Sequence, residues 1–367
     1  MKWVPGIFKK LFQRVVMVSI SIFAQLVVFV LLIWRFQDHY QAFYILLLLI
    51  SVVVTLGIIS KNTNPAYKIA WLVPILIFPV FGGLFYLMLG GNRLSRRQSR
   101  RMERVLQSLR DHLPQDPETA RELEKTSRDA SMESSYITAV ASCPVYANTQ
   151  TQYFPLGDDA WPEMLAALLK AERYIFLEYF IIGEGIMWQS VLEILKQKAT
   201  QGLDVRVMYD DFGCITVLPS GYRKQLEAWG IQCCVFGPYI PVVSARLNNR
   251  DHRKFMIIDG KAAFTGGINL ADEYINRKER FGHWKDSGVR LHGPGAWGFA
   301  AYFMQLWKML GRTLSRPDDD YRPQRIFPAA FGYCQPFSDG PLRNPDYPIE
   351  GTYLQLISSA RRELFMT

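Results

Sequence analysis

The chain of 367 residues is 49% hydrophobic and 20% charged, with a formal net charge of +9, and has room for one large domain or two ordinary ones. The charge is uneven: residues 1–104 carry 13 Lys/Arg against Asp38 and Glu103, a net of +11, while the remainder is −2. An enzyme of nucleic acids would be expected to carry its basicity on the catalytic part. Here the basic residues flank apolar segments, which argues against a nucleic-acid partner and for a membrane surface.

Three uncharged apolar stretches come first, residues 15–33, 43–59 and 70–89. Each is about long enough to cross a hydrocarbon layer of roughly 30 Å, the second only just. Residues 1–91 are therefore expected to form a multi-pass anchor in the cell membrane with two or three transmembrane helices. Pro74, Pro79 and Gly82-Gly83 would kink the third or make it re-entrant. Arg93, Arg96, Arg97, Arg100, Arg101 and Arg104 follow the last run and favour a cytoplasmic face for what comes next. Lys2, Lys9, Lys10 and Arg14 make the same claim for the N-terminus, and the larger cluster decides. Five cysteines show neither a disulfide framework nor zinc spacing.

Residues 92–135 are polar and broken by Pro114 and Pro117, as expected of a basic juxtamembrane linker. An α/β pattern then occupies residues 136–350. Helices are expected at 159–171, 188–200 and 220–229, and strands at 173–182, 203–210 and 231–236. Alternation of this kind predicts a parallel or mixed sheet flanked by helices. The ends of such strands, DDFG (210–213) among them, are where sites form. Glu178 lies in an otherwise apolar strand and is costly to bury alone. It is read either as a neighbour of the site or as a core hydrogen-bonding group.

Residues 251–269 read DHRKFMIIDGKAAFTGGIN, a strand, an Asp259-Gly260 turn and a returning strand. His252 and Lys254 are two apart in an extended segment, so both side chains leave one face. An imidazole beside an ammonium suits an anion that must be held and attacked. The spacing H-x-K-x4-D, followed by Gly266-Gly267-Ile268-Asn269, resembles the signature of the phospholipase D superfamily. Residues 64–93 resemble the N-terminal membrane segment of bacterial cardiolipin synthases, and 247–274 and 283–297 resemble their first catalytic half.

The resemblance implies membrane phospholipids as partners, phosphatidylglycerol and cardiolipin. It implies transfer of a phosphatidyl group between two phosphatidylglycerol molecules, with release of glycerol. A hydrolytic phospholipase D and a membrane-tethered nuclease are the alternatives. His252 would be the nucleophile that forms a phosphohistidine. Lys254 and Asn269 would hold the phosphate oxygens, with Gly266 and Gly267 letting the backbone approach. Asp259 belongs to the catalytic signature in a mainly structural, hydrogen-bonding role. Asp286, with Glu279 in reserve, would hold the second ring nitrogen of His252. No metal and no cofactor are called for. His283 and Lys285 form another H-x-K, but neither the spaced Asp nor the Gly-Gly-x-Asn follows.

AERYIFLE (171–178) and ARRELFMT (360–367) align without gaps. Read as a repeat, residues 351–367 begin a second, incomplete half. The chain would then hold only the first half of an active site, with a homodimer that brings two copies of His252 together as the alternative.

Overall fold

The computed structural model describes residues 113–238, 250–323, 327–340 and 347–365, together with 40–61, 65–78 and scattered positions elsewhere in the first 90. The first apolar run (15–33) and the arginine cluster after residue 92 lie largely outside these. The chain divides into two compact units, one of residues 1–95 and 239–250, the other of 96–238 and 251–367.

In the first unit, helix α1 (Tyr40–Ile59) is uncharged over its 20 residues, and helix α2 (Pro65–Ile77) carries Pro74 inside it. Val54, Ile58, Ile75 and Tyr86 form a small buried cluster. Trp71 meets the Tyr86 ring edge-on at 5.3 Å. Among the described residues no helix is long and apolar enough to cross a membrane. The expected transmembrane helices are thus not part of the described fold. For the third run the reason is local: α2 ends at Ile77, and 13 residues reach only about 20 Å.

The second unit is built on a seven-stranded mixed sheet. Its strands are β1 (Gln150–Phe154), β2 (Tyr174–Tyr179), β3 (Asp204–Asp210), β4 (Gln232–Phe236), β5 (Lys254–Ile258), β6 (Ala262–Gly266) and β7 (Gly288–His292). They lie in the order β1-β7-β6-β5-β2-β3-β4. Strands β2, β3 and β4 are parallel, and every other pair is antiparallel.

All six residues of β2 are buried, so both faces are covered. Ile175 and Leu177 face the helices α5 (Gly157–Leu169), α6 (Ile186–Thr200) and α7 (Tyr222–Ala228), packing among Leu168, Trp188, Val191 and Leu226. Tyr174 and Phe176 face the other way, onto helix α8 (Ala296–Met309), where Phe176 stacks on Phe303 at 4.5 Å. Side chains that alternate across a strand make both contacts possible.

Every residue of α8 from Ala296 to Trp307 is buried, as a helix apolar on all sides must be. Tyr302 on its outer side contacts Cys143 and accepts from the Ser338 amide. The helices α3 (Pro117–Thr126), α4 (Arg128–Ala141) and α9 (Pro348–Ser359) belong to the same unit. Helix α4 runs across the expected boundary at 135/136, and α9 across the one at 350/351.

The 259–260 turn forms as expected. Asp259 and Gly260 have φ of +52° and +66°, and the Lys261 amide donates to Ile258 O at 3.0 Å, closing a tight hairpin turn. The Asp259 carboxylate then reaches across to the start of β2. It accepts from the backbone amides of Glu172 (3.0 Å), Arg173 (2.8 Å) and Tyr174 (2.9 Å), and pairs with Lys261 at 3.0 Å. Asp259→Ala would leave those amides without their acceptor. Its urea unfolding free energy is expected to fall by about 2–4 kcal/mol, with a smaller loss for Asp259→Asn, which keeps one accepting oxygen.

Candidate active site

Parallel strands β2 and β3 end on the same side of the sheet, and antiparallel β5 begins there, opposite Tyr179. His252, two residues before β5, meets the ring of Phe180 at 4.7 Å between centroids. Lys254 Nζ lies 5.4 Å from the centre of the same ring. The two side chains expected to share a face therefore converge on one aromatic surface. His252 is exposed, whereas Lys254 is only 4% exposed.

Burial lowers the affinity of both for a proton. His252 is held below the ordinary imidazole range, by partial desolvation first and by the Lys254 charge second, while Asp251 and Asp286 oppose the shift. Lys254 is brought down to about 8 by burial, again against Asp286 and Asp251. Its ammonium donates to the backbone oxygen of His252 at 2.6 Å, tying the two residues together. The result is an imidazole biased toward its neutral form, with a cation beside it.

Asp286, like Asp251, acts on both groups. It sits against Gly267, where a Cβ would lie 1.8 Å from Asp286 Oδ1, and the Gly267 amide donates to Ser287 O at 3.0 Å. The glycine there makes room for a carboxylate of this chain. Gly266, at φ +144°, approaches Ser287 O in the same way. The glycine pair thus closes the exit of β6 onto the entry of β7. Glu279 is exposed and is not among the charges acting on His252.

Asn269 is 2% exposed. Its Oδ1 accepts from the Ile181 amide at 2.9 Å, and its Nδ2 donates to Tyr274 OH at 2.7 Å. Only the second amide hydrogen remains for the phosphate-holding role expected of it. Asp259, grouped with His252 and Lys254 in the signature, lies at the opposite end of β5, on the start of β2. Its part in the site is indirect, through the placement of β5.

Beneath His252 lies a buried ionic cluster, of which Glu178 and the strand end at Asp210 had been singled out from the sequence. Glu178 Oε1 is 2.6 Å from Arg253 Nη2, at an angle that makes an ion pair rather than an aligned hydrogen bond. Arg253 Nε pairs with Asp251 Oδ1 at 3.2 Å. The Asp251 amide donates to Asp210 Oδ2 at 3.0 Å, and Asp210 Oδ1 caps the turn that follows β3. Burial raises the Glu178 carboxyl well above its usual range, opposed by Arg253 and reinforced by Asp251. The signal for this cluster was available. In D-H-R-K, residues 251 and 253 alternate with 252 and 254, so the two pairs leave opposite faces. Among the described residues no group of three or more His, Cys, Asp or Glu is placed to hold a metal ion.

Residues 164–288 match the family described as "Cardiolipin synthase, PLD-like domain", and residues 45–91 match "Phospholipase_D-nuclease N-terminal". The chain belongs to the phospholipase D superfamily. An uncharacterized protein of Streptococcus mutans is 39% identical over 85% of this chain and 67% of its own length. A cardiolipin synthase of Geobacillus kaustophilus is 31% identical over 85% of this chain and 62% of its own length. The chain thus spans about two thirds or less of these relatives. A solved phospholipase D family member, Nuc from Salmonella typhimurium, overlays on 44% of this chain and 94% of its own at 20% identity. Its TM-score of 0.31 is too low to carry an argument.

The Glu178 cluster has a signed consequence for this phospholipase D-like unit. A carboxyl whose folded pKa is raised contributes stability below its unfolded value, which is lost as pH rises through the folded one. Glu178→Gln removes that dependence. The difference in melting temperature, Gln variant minus wild type, is expected to grow as pH rises from 5 to 9.

Proposed function

We propose that the chain is the first catalytic half of a cardiolipin synthase, which transfers a phosphatidyl group from one phosphatidylglycerol to the hydroxyl of another. The observation that carries the reading is exposed His252 meeting buried Lys254 at the Phe180 ring, with Asp286 in the field of both and the imidazole's proton affinity lowered. A phosphodiester is an anion that resists attack, and a neutral nucleophile next to a cation answers both difficulties. The imidazole attacks phosphorus and the glycerol alkoxide leaves. The second lipid's hydroxyl then attacks the phosphohistidine, passing its proton to the group that had protonated the departing glycerol, and the imidazole is released. Asp286 stabilises the imidazolium between the two steps. Lys254, helped by the remaining Asn269 amide hydrogen, bears on the phosphate oxygens.

The departing alkoxide needs a proton from the far side of phosphorus. His292, at the far end of β7, and His283, on an exposed loop, do not share the setting of His252. The acid in this reading is a second H-x-K motif, on a second half or a second subunit. Attachment to the membrane is assigned to the first unit, with the catalytic unit on the cytoplasmic side. Uncharged α1 and its exposed Leu49, Val53, Leu56 and Ile59 support that assignment.

Two measurements test the chemistry on the active, complete form of the enzyme. His252→Ala is expected to lower cardiolipin formation from phosphatidylglycerol by about 10³-fold or more, with expression and membrane association unchanged. Normal turnover by that variant would remove His252 as nucleophile, and cleavage of DNA but not lipid would make the protein a nuclease. The rate should also decline above pH about 8, as Lys254 loses its proton. Lys254→Arg should move that decline upward while lowering the rate.

A further inference from the structure

A loop beside the site is built as an outward-facing contact. It runs from Asn276 to Ser287, between the helical turn Asp272–Ile275 and the start of β7, at the end of the sheet where His252 lies. Asn276 closes its base: Oδ1 accepts from the Trp284 amide at 2.7 Å, and Nδ2 donates to Trp284 O at 3.1 Å and to Asp158 Oδ2 at 2.7 Å. Trp284 packs against Tyr274 at 5.1 Å, and Tyr274 in turn holds Asn269. From this pinned base Phe281 projects outward, 81% exposed. Its only described supports are Trp284 at 6.1 Å and the Arg280 guanidinium at 5.3 Å.

The charge around that tip is predominantly positive, with Arg280 pairing back to Glu273 at 3.2 Å. Residues 277–285 hold Arg277, Lys278, Arg280 and Lys285 against Glu279, a net of +3, in a chain whose residues beyond 104 are net −2. All five charged residues are exposed. Two further apolar side chains project at the same end of the sheet, Ile186 after β2 and Phe212 after β3, 57% and 52% exposed. Glu184 and Asp211 lie near these two, so the positive charge is confined to the loop. An exposed aromatic tip in a basic collar is the composition that suits the interface of an anionic bilayer, where the ring enters the headgroup layer and the cations meet lipid phosphates.

We propose that the 277–285 loop docks on an anionic lipid bilayer, with Phe281 inserted, so that the mouth of the His252 site faces the headgroups. This rests on the reading that the substrate is a membrane lipid, but its test does not read turnover.

Because the first unit is expected to hold the protein on vesicles in any case, the contact must be read locally. The full chain, labelled with an environment-sensitive fluorophore at Phe281→Cys, would be reconstituted in vesicles carrying a headgroup-level quencher. The native cysteines are buried or half-buried, which directs the label to the new site. Gln201→Cys, exposed at the opposite end of α6, is the control. Strong quenching is expected at 281 but not at 201 in phosphatidylglycerol vesicles, and several-fold less at 281 in pure phosphatidylcholine. The double reversal Arg277→Glu/Lys278→Glu should weaken it, on the order of fivefold per charge. About 1 M salt, where the screening length falls to roughly 3 Å, should abolish the difference between lipids. Equal quenching at 281 and 201, or no preference for the anionic lipid, would overturn the proposal. So would protection of the label that grows with protein concentration, which would assign the surface to a second copy. Quenching without cardiolipin synthesis would leave this inference standing and remove only the proposed reaction.

Discussion

The antiparallel register of β5 on β2 is held at both ends by carboxylates, and the candidate site depends on it. At one end Asp259 gathers three amides at the start of β2. At the other, Glu178 of β2 pairs with Arg253 just before β5. Between them, Ile175 stands opposite Ile258 and Tyr179 opposite Lys254. A slip by one residue would turn Lys254 and Ile258 to the wrong faces. His252 and Lys254 at the strand end are thus positioned by buried charges at either end of the pairing.

Those charges also shape the electrostatics. Two buried carboxylates, from Glu178 and Asp251, pair with one guanidinium, and a third, from Asp210, accepts the Asp251 amide. Such a group is costly to assemble, and the raised Glu178 carboxyl is one answer to that cost. The cation outside it, Lys254, is desolvated and weakened, and its charge adds to the partial burial that lowers the proton affinity of His252. Asp286 counters both from the far side, seated in the gap left by Gly267. His252 and Lys254 therefore come from one segment and Asp286 from another, joined at one end of the sheet.

Much of this was legible in the chain. The strands near 174–179, 204–210 and 232–236 and the hairpin at 254–266 were readable from apolar runs bounded by turn residues, because each is buried on both faces or closed by an Asp-Gly turn. Strand β1 was not, since QTQYF is polar at the sheet edge. Helix α8 was missed as well: AWGFAAYFMQLWKM has no polar face, and its burial comes from layers on both sides. The apolar run at 70–89 was readable as lipid-facing, but Pro74 and the end of α2 at Ile77 break the helix that such a reading requires.

For the site, residue types and spacing put His252 and Lys254 together and suggested an anion, because an H-x-K on an extended segment must present both side chains together. Asp286 and a phosphate came from the family resemblance. What each neighbour does was decided by the tertiary structure. Asn269 is largely spent on Ile181 and Tyr274, Gly267 admits a carboxylate of the same chain, and Asp259 serves the opposite end of the strand. Arg253, between His252 and Lys254, closes a cluster reaching Glu178 on β2. Local sequence dictates which way a side chain leaves its strand. Only the packing of distant strands dictates what it finds there.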